Sequence, residues 1–227
     1  MSDRPRSDAP LPREAMAQSL TTGLENLQQS LAPGQIETML DYLAELTRWN
    51  NAYNLTAVDD PLEMVDRHLV DSLSIRPFLT GKRILDAGTG AGLPGLVLAI
   101  AEPQRHFVLV DSNGKKVRFL RHIQRALRLD NIEPVQARLE SLELKPPPDE
   151  ILARALAPLA RLVEWHAPWL AGGSRLLAMK GRLEEAERAA VPDAYNVELH
   201  TLEHAGREGA PRSLAIVTII VTLGDST

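Results

Sequence analysis

The spacing of hydrophobic and polar residues along this chain changes near residue 82. Before that point, apolar residues such as Ile36 and Met39 recur every three or four positions, which is the spacing of one face of a helix. A second stretch with the same spacing follows Pro61, and proline is typical of the first turn of a helix. We therefore predict a helical extension over residues 13–80.

After residue 82, short apolar runs alternate with amphipathic stretches. Strand–helix alternation of this kind predicts an α/β fold over residues 81–227, with a mostly parallel, doubly wound sheet and helices on both faces. A short segment around residues 206–211 separates the last two strands, which favours an antiparallel C-terminal hairpin at one edge of the sheet. The predicted strands are 83–87, 106–110, 132–137, 150–153, 174–179, 195–202 and 213–223, and the predicted helices are 93–101, 115–127, 159–170 and 183–190.

The composition, with 44% hydrophobic and 24% charged residues among 227, is typical of a soluble globular protein. No apolar run approaches the roughly 20 residues that span a bilayer, and the polar, proline-rich residues 1–12 are predicted to be a flexible tail rather than a signal sequence. The sequence has no cysteine, which excludes disulfides, thiolate metal sites and a cysteine nucleophile. We expect one compact unit, a cytoplasmic monomer that binds neither a metal nor a membrane.

A glycine-rich segment between the first predicted strand and the helix after it is the most informative part of the sequence. It reads Asp-Ala-Gly-Thr-Gly-Ala-Gly-Leu-Pro-Gly over residues 86–95, and its last six residues match the dinucleotide pattern GxGxxG. Glycine permits positive φ angles and has no Cβ, so such a loop lets the backbone approach a ligand closely. Ligands of doubly wound sheets bind in the crevice at the carboxyl ends of the strands, where this loop lies.

Two features favour S-adenosylmethionine over NAD as the ligand. The glycines begin earlier than the dinucleotide pattern, at Gly88, and continue with Gly90 and Gly92. Asp86 ends the strand, where its carboxylate would repel a pyrophosphate but would suit the α-ammonium of S-adenosylmethionine. Asp111 ends the second strand, where it is expected to accept hydrogen bonds from the ribose hydroxyls of either cofactor or, alternatively, to cap the next helix.

Several short motifs elsewhere accompany this loop: Trp-Asn at residues 49–50, Asn-Leu-Thr-Ala at 54–57, Arg-Ala at 154–155 and Met-Lys-Gly at 179–181. With them the chain resembles the bacterial small-subunit rRNA guanine-N7 methyltransferases, the glucose-inhibited division protein B family, over most of residues 45–182. The resemblance implies a Rossmann-like class I S-adenosylmethionine-dependent methyltransferase that methylates N7 of a guanine in 16S rRNA. Its expected partner is this RNA or the small ribosomal subunit.

The resemblance also assigns residues to the two substrates. Beside the glycine loop, it implies that the residues bordering the cofactor are Gly88, Leu93, Leu139, Glu140 and Arg154. It suggests that the basic rim facing RNA contains Arg118, Arg138, Arg154 and Lys180. Two departures from the family pattern occur: Lys116 stands where an arginine is more usual, and Leu-Ala-Pro-Leu at 156–159 replaces a segment that more typically contains an aromatic residue.

A basic segment of the sequence is compatible with RNA binding. No acidic residue lies between Asp111 and Asp130, although the net charge of the chain is −5. On one helix, Arg118, Arg121, Arg125 and Arg128 would share a face and repel one another, and an RNA backbone would relieve that repulsion. A solvated face with distant carboxylate partners explains the pattern equally well, and only the resemblance favours RNA. The residues predicted to bind RNA are Lys115, Lys116, Arg118, Arg121, Arg125, Arg138 and Lys180.

The chemistry expected at guanine N7 needs alignment rather than a base, because N7 carries a lone pair and no proton. The positioning candidates are therefore Arg154, Lys180, Asn54 and His68. Arg154 could donate to guanine O6, and Lys180 is expected to contact a phosphate. Asn54 and Thr56 are predicted to shape a turn, with lining of the acceptor cleft as the alternative. His68 and Asp71 are interpreted as a structural pair that docks the extension on the core, with a pH-tuned base as the alternative for His68. Trp49 is interpreted as a core residue, with a base-stacking platform as its alternative.

Three other functions stay open on the sequence. The first is a methyltransferase of the same class that acts on a protein or small molecule, and a small-molecule enzyme would not need the arginine-rich face. An NAD-dependent oxidoreductase is disfavoured by Asp86 and by the lack of a recognisable Tyr-Lys or His catalytic pair. A non-catalytic RNA-binding module is disfavoured by the intact glycine loop.

Overall fold

The computed structural model describes residues 11–202 and 212–220. In that part of the chain the strands are β1 (Arg83–Ala87), β2 (His106–Asp111), β3 (Ile132–Gln136), β4 (Glu150–Arg154), β5 (Arg175–Lys180), β6 (Tyr195–Thr201) and β7 (Ser213–Ile219). They form one sheet in the order β3-β2-β1-β4-β5-β7-β6. The first five strands are parallel, and β7 runs antiparallel to both β5 and β6. The predicted sheet and its antiparallel edge hairpin are therefore confirmed, while residues 1–10, 203–211 and 221–227, which include most of the predicted tail and hairpin loop, lie outside the described residues.

Helices cover both faces of this sheet. They are α1 (Arg13–Asn26), α2 (Pro33–Tyr53), α3 (Pro61–Met64), α4 (Asp71–Leu73), α5 (Gly95–Ala101), α6 (Gly114–Ala126), α7 (Leu159–Ala171) and α8 (Glu185–Ala189). A π-helical turn, Val65–Val70, joins α3 to α4, so the predicted helical stretch after Pro61 is continuous but contains one wide turn. None of the helices in the described ranges has the length and apolar character needed to cross a lipid bilayer.

Alternation along the strands divides the core into two layers. Ile84 packs into the layer that contains α2, α5 and α6, whereas Leu85 and Ala87 pack into the layer that contains α7. This is the period of two that a strand imposes on its side chains. Because both faces are covered, the parallel strands β1, β2, β4 and β5 are buried along most of their length, as is typical of a parallel sheet, whereas β3 and the edge strand β6 are more exposed. The helical extension belongs to the first layer and packs beside α5 and α6.

Helix α2 attaches the extension to both ends of α5. At its start, the Gln35 amide donates to the carbonyls of Ile100 and Ala101, at the end of α5, over 2.8 and 3.0 Å. Seven residues later, the Tyr42 hydroxyl donates to the carbonyl of Ala91 in the glycine loop over 3.0 Å. Full burial of each large apolar side chain on this helix, such as Leu43, contributes about 1.5–3 kcal/mol. Helix α2 therefore runs along α5 from the amino ends of the strands to their carboxyl ends, where the glycine loop lies.

Candidate active site

A cleft of about 360 Å³ lies at the carboxyl ends of β1, β2 and β4. This is the place where doubly wound sheets bind ligands, and the volume lies within the range of small-molecule sites. The residues that line it include Gly88, Asp111, Lys116, Arg138, Leu139, Glu140, Arg154, Leu156 and Trp165. The fold thus brings together residues from four separate segments that the sequence assigns to the cofactor.

The glycine loop combines two uses of glycine. Gly88, Gly90 and Gly92 all have positive φ angles, of 67°, 63° and 103°. A Cβ on Gly92 would lie 2.8 Å from the Cβ of Leu96, so this position is closed by packing. A Cβ on Gly90 would meet nothing closer than the Lys116 Nζ at 3.9 Å. Gly92 therefore serves the fold of the loop, while Gly90 leaves open space beside the cleft.

The structure corrects the placement expected for Asp86. Its side chain is fully buried, because the alternation along β1 directs it towards α5 rather than into the cleft. Its Oδ2 accepts hydrogen bonds from the Thr89 hydroxyl over 2.6 Å and from the Gly95 N–H over 2.7 Å. Burial raises the pKa of Asp86 to about 6, although these two bonds favour its charged form. Asp86 therefore holds the loop against α5, and direct contact with a cofactor ammonium is not what its position supports.

Asp111 lies at the cleft and also fixes its walls. Its Oδ2 accepts from the Gly90 N–H over 3.1 Å and lies 3.3 Å from the Lys116 Nζ. Its Oδ1 accepts from the Asn113 N–H over 2.8 Å. The cap of α6 is Asn113, whose Oδ1 accepts from the Lys115 N–H over 2.9 Å. The capping alternative for Asp111 is therefore wrong, and its carboxylate stays at the cleft.

The basic face of α6 is smaller than the sequence suggests. Arg118, Arg121 and Arg125 are exposed on the helix, and none of them forms an ion pair with a carboxylate in the described part of the chain. Arg128 lies beyond the helix, which ends at Ala126, and has a left-handed φ of 53°. The helical stripe therefore loses its last predicted member.

Arg154 and Asp71 form a link between the cleft and the extension. The Arg154 Nη2 donates to the Arg67 carbonyl over 2.8 Å, and its Nε lies 3.3 Å from the Asp71 Oδ2. The other carboxylate oxygen of Asp71 lies 3.3 Å from the Arg212 Nε. The predicted pairing of His68 with Asp71 is therefore wrong, because the buried Asp71 carboxylate pairs with Arg154 and Arg212 instead.

His68 has a different partner within the extension. Its Nε2 lies 2.9 Å from the Thr56 Oγ1, which also accepts from the Val58 N–H. Burial, with the nearby Arg154 charge as a second cause, lowers the pKa of His68 to about 4. The ring is therefore neutral near pH 7, and its contacts fix the turn that Asn54 and Thr56 were predicted to form.

Comparison with known proteins decides the family. The family model of rRNA small subunit methyltransferase G, GidB, matches residues 35–213. The chain belongs to this family. It is 46% identical over 185 residues to Ribosomal RNA small subunit methyltransferase G of Escherichia coli strain UMN026, covering 81% of this chain and 88% of the relative. It is 43% identical over 204 residues to the protein of that name in strain SMS-3-5, covering 89% and 98%.

Solved structures of methyltransferases share the fold of this methyltransferase G family member. One is a SAM dependent methyltransferase from Aquifex aeolicus, with a TM-score of 0.54 and 16% identity over 73% of this chain and 97% of that one. Another is M. jannaschii TYW2 in complex with AdoMet, with a TM-score of 0.52 and 14% identity over 67% and 76%. These likenesses confirm the predicted class I methyltransferase fold.

Asn54 and Lys180, the two remaining positioning candidates in this methyltransferase G family member, both have structural roles. Asn54 takes a left-handed φ of 50° at the end of α2, which confirms the predicted turn. The Lys180 Nζ donates to the Ala157 carbonyl over 2.5 Å and lies 2.7 Å from the Glu187 Oε1. Glu187 also accepts from the Leu159 N–H over 2.8 Å. Lys180 therefore ties β5 to the start of α7, and these contacts favour a structural role over the expected phosphate contact.

The sequence interpretation missed two residues at the site. Trp165 lines the cleft from α7, far from any glycine motif, and no local pattern distinguishes it from a core tryptophan. Tyr42 is fully buried under the glycine loop, and its spacing in the sequence does not distinguish it from the other buried positions of α2. In both cases the signal is a contact between segments distant in the chain. Among the described residues, no three His, Asp or Glu side chains are grouped so that they could hold a metal ion.

Removing the Tyr42 hydroxyl should loosen the glycine loop. In Tyr42→Phe, the buried Ala91 carbonyl loses its donor, so we expect a loss of about 1–2 kcal/mol in the free energy of unfolding and a severalfold weaker affinity for S-adenosylmethionine. Urea unfolding and calorimetric titration measure the two effects. Tyr53→Phe, on the exposed end of the same helix, is the control and should change neither quantity. An unchanged cofactor affinity in Tyr42→Phe would show that the loop does not need this anchor.

Proposed function

We propose that this protein transfers the methyl group of S-adenosylmethionine to N7 of a guanine in 16S rRNA, in the cytoplasm. The observation that carries the proposal is the cleft at the glycine loop, found in a chain that belongs to the rRNA small subunit methyltransferase G family. The names of its relatives support rRNA of the small subunit as the substrate, and the motif resemblance supports guanine N7 as the acceptor atom.

The residues present fit S-adenosylmethionine. Gly90 offers backbone beside open space, as close approach of a ligand requires. The Asp111 carboxylate lies at the cleft, and its oxygens retain lone pairs for ribose hydroxyls beside the bonds they already accept. Leu139, Glu140 and Trp165 form the wall on which a purine ring would lie. The bound cofactor supplies a methyl group that is already activated as a sulfonium.

The polar groups at the cleft and in the adjoining extension suit an acceptor that has no proton to lose. His68 is neutral with a lowered pKa and is engaged by Thr56, so it is a weak base at pH 7. Arg154 lines the cleft, and its Nη1 is buried without a hydrogen-bond partner among the described residues. A guanine O6 would satisfy this donor and leave N7 free for attack. We assign Arg154 to positioning, because its charge opposes the cationic ring that methylation produces.

The RNA backbone would lie along the exposed cations around this cleft. Arg138 is exposed at its rim, and Lys115 marks the beginning of α6 nearby. Arg118, Arg121 and Arg125 continue the positive charge along that helix. Although the net charge of the chain is −5, this local distribution supports an anionic partner.

The decisive experiment is methyl transfer from labelled S-adenosylmethionine to small ribosomal subunits that lack the modification, followed by nucleoside analysis. We expect the label in N7-methylguanine of 16S rRNA. Label in another nucleoside would contradict the acceptor atom, and cofactor binding without RNA label would indicate a protein or small-molecule acceptor. Absence of cofactor binding would contradict the proposal at its first step. Subunits that already carry the modification are the matched control and should accept no label.

A further inference from the structure

An aromatic row leads from the middle of α6 to the end of α2. The Trp49 ring centre lies 5.0 Å from that of His122 and 5.3 Å from that of Tyr53, and the planes of the Trp49–Tyr53 pair differ by only 28°. Phe119 contacts Trp49 from the core at 5.6 Å, which fixes the tryptophan in place. Tyr53, the outer member, is 36% exposed. The row therefore ends in an aromatic ring that solvent reaches.

This row begins within the basic face of α6. His122 follows Arg118 by four residues and precedes Arg125 by three, so the three side chains share one flank of the helix. Arg118, Arg121 and Arg125 are exposed and form no carboxylate pair within the described ranges. The row thus runs from these cations through His122 and Trp49 to the exposed ring of Tyr53. Exposed aromatic rings and cations together bind single-stranded nucleic acid, through base stacking and phosphate contacts.

The exposed end of the row lies on the cleft side of the sheet. Helix α2 starts with Gln35 at the far end of α5 and reaches the glycine loop at Tyr42. It continues for eleven residues beyond Tyr42, a rise of about 16 Å, before it ends at Tyr53. RNA that enters the cleft would therefore have Tyr53 within reach.

The acidic residue beside the row does not oppose phosphate binding. Glu45 is bound by His122 over 2.6 Å and by Arg48, so its charge is compensated. The phosphate contacts are therefore assigned to the exposed arginines of α6.

We infer that Tyr53, stacked on Trp49, together with Arg118, Arg121 and Arg125, binds an unpaired segment of the RNA substrate, with a base stacked on Tyr53. This RNA platform rests on the proposed function for the identity of its ligand. A base inside a duplex does not present its face, so the platform selects single strands. It holds RNA beside the cleft without touching the reacting guanine.

Binding of a short unstructured RNA, followed by fluorescence anisotropy, tests the RNA platform directly. Loss of one stacked base should make the affinity of Tyr53→Leu for this RNA about five- to 100-fold weaker than that of wild type. Tyr53→Phe, which keeps an aromatic ring, should bind the RNA as wild type does. The salt dependence separates the two kinds of contact. Tyr53→Leu should leave its slope unchanged, whereas the double variant Arg121→Gln/Arg125→Gln should reduce the slope by about 0.7 for each lost phosphate contact.

Controls separate stacking from misfolding and from failure of the proposed function. Leu199→Ala, an exposed apolar change on β6, should leave affinity unchanged. In methyl transfer, Tyr53→Leu should raise KM for RNA and leave KM for S-adenosylmethionine unchanged, which also shows that the site is folded. Equal binding by wild type and Tyr53→Leu, or equally weak binding by Tyr53→Phe, overturns the inference. A wild type that binds RNA through Tyr53 without methylating it overturns only the proposed function.

Discussion

Replacing Gly95 with alanine is expected to lower the free energy of unfolding by about 3 kcal/mol. The added Cβ would lie 2.6 Å from the Asp86 Oδ2, 2.7 Å from the Asp86 Cβ and 2.7 Å from the Leu109 Cδ2. All of these atoms belong to fully buried side chains, so none can move away without disturbing the core. A shift of α5 to relieve the clash would stretch the hydrogen bond from the Gly95 N–H to Asp86. The glycine loop would lose its attachment to the helix.

Urea unfolding of Gly95→Ala measures the loss, and calorimetry should show weaker binding of S-adenosylmethionine. Gly34→Ala is the matched control, because Gly34 also lies in the first turn of a helix but has no atom within 4 Å of an added Cβ. Alanine there is expected to be neutral or to stabilise by up to about 1 kcal/mol, since glycine is the poorer helix former. Equal stability of the two variants would show that the close approach of α5 to Asp86 is not a constraint.

The glycine at position 95 shows what a sequence pattern conveys and what it leaves out. The hexapeptide GxGxxG places Gly95 as the last glycine of a ligand loop, and the strand–helix alternation correctly predicts the sheet around it. The pattern treats its glycines alike, although Gly90 has open space beside it and Gly95 has three atoms within 2.7 Å. That difference depends on Leu109, which belongs to another strand. Spacing along the chain carries local geometry, but not the neighbours that folding supplies.

The same limit explains the corrected residues. Asp86 was recognisable as the end of a strand, and alternation sets the side of the sheet to which it points, but the sequence does not show that α5 covers that side and buries the carboxylate. Asp71 meets Arg154 and Arg212, from segments 83 and 141 positions away in the chain, and no pattern near Asp71 indicates either partner. Asp111 was predicted at the cleft because a strand end in this fold fixes it there directly. Site residues fixed by the backbone topology were therefore predictable, whereas those chosen by side-chain packing were not.

Asp86→Asn is expected to change the pH dependence of stability. Burial raises the pKa of Asp86 from its usual 3.8 to about 6. The folded protein therefore holds a proton that the unfolded chain releases in this range. The stabilisation that this retained proton gives the folded protein is fully present below about pH 4 and is lost as pH rises through 6. A difference of about two pH units corresponds to about 3 kcal/mol. Asparagine has no such dependence, so the stability of the variant relative to wild type should rise by about 3 kcal/mol between pH 4 and 7.

The asparagine variant also separates the two roles considered for Asp86. Its carbonyl oxygen has two lone pairs and can still accept from the Thr89 hydroxyl and the Gly95 N–H, so the loop should stay attached. We therefore expect S-adenosylmethionine to bind Asp86→Asn almost as it binds wild type at pH 8, while Asp86→Ala, which removes both acceptors, binds it poorly. A loss of about tenfold or more in Asp86→Asn, 1.4 kcal/mol, would instead indicate that the carboxylate charge itself meets the cofactor ammonium. If such a loss is found, an analogue without the α-amino group tells a lost ion pair from a loosened loop. The analogue should bind wild type and Asp86→Asn equally if the ion pair is the cause, and should bind Asp86→Asn more weakly if the loop is the cause. Urea unfolding across the pH range provides the independent test, since a stability difference that is flat from pH 4 to 7 would contradict the raised pKa.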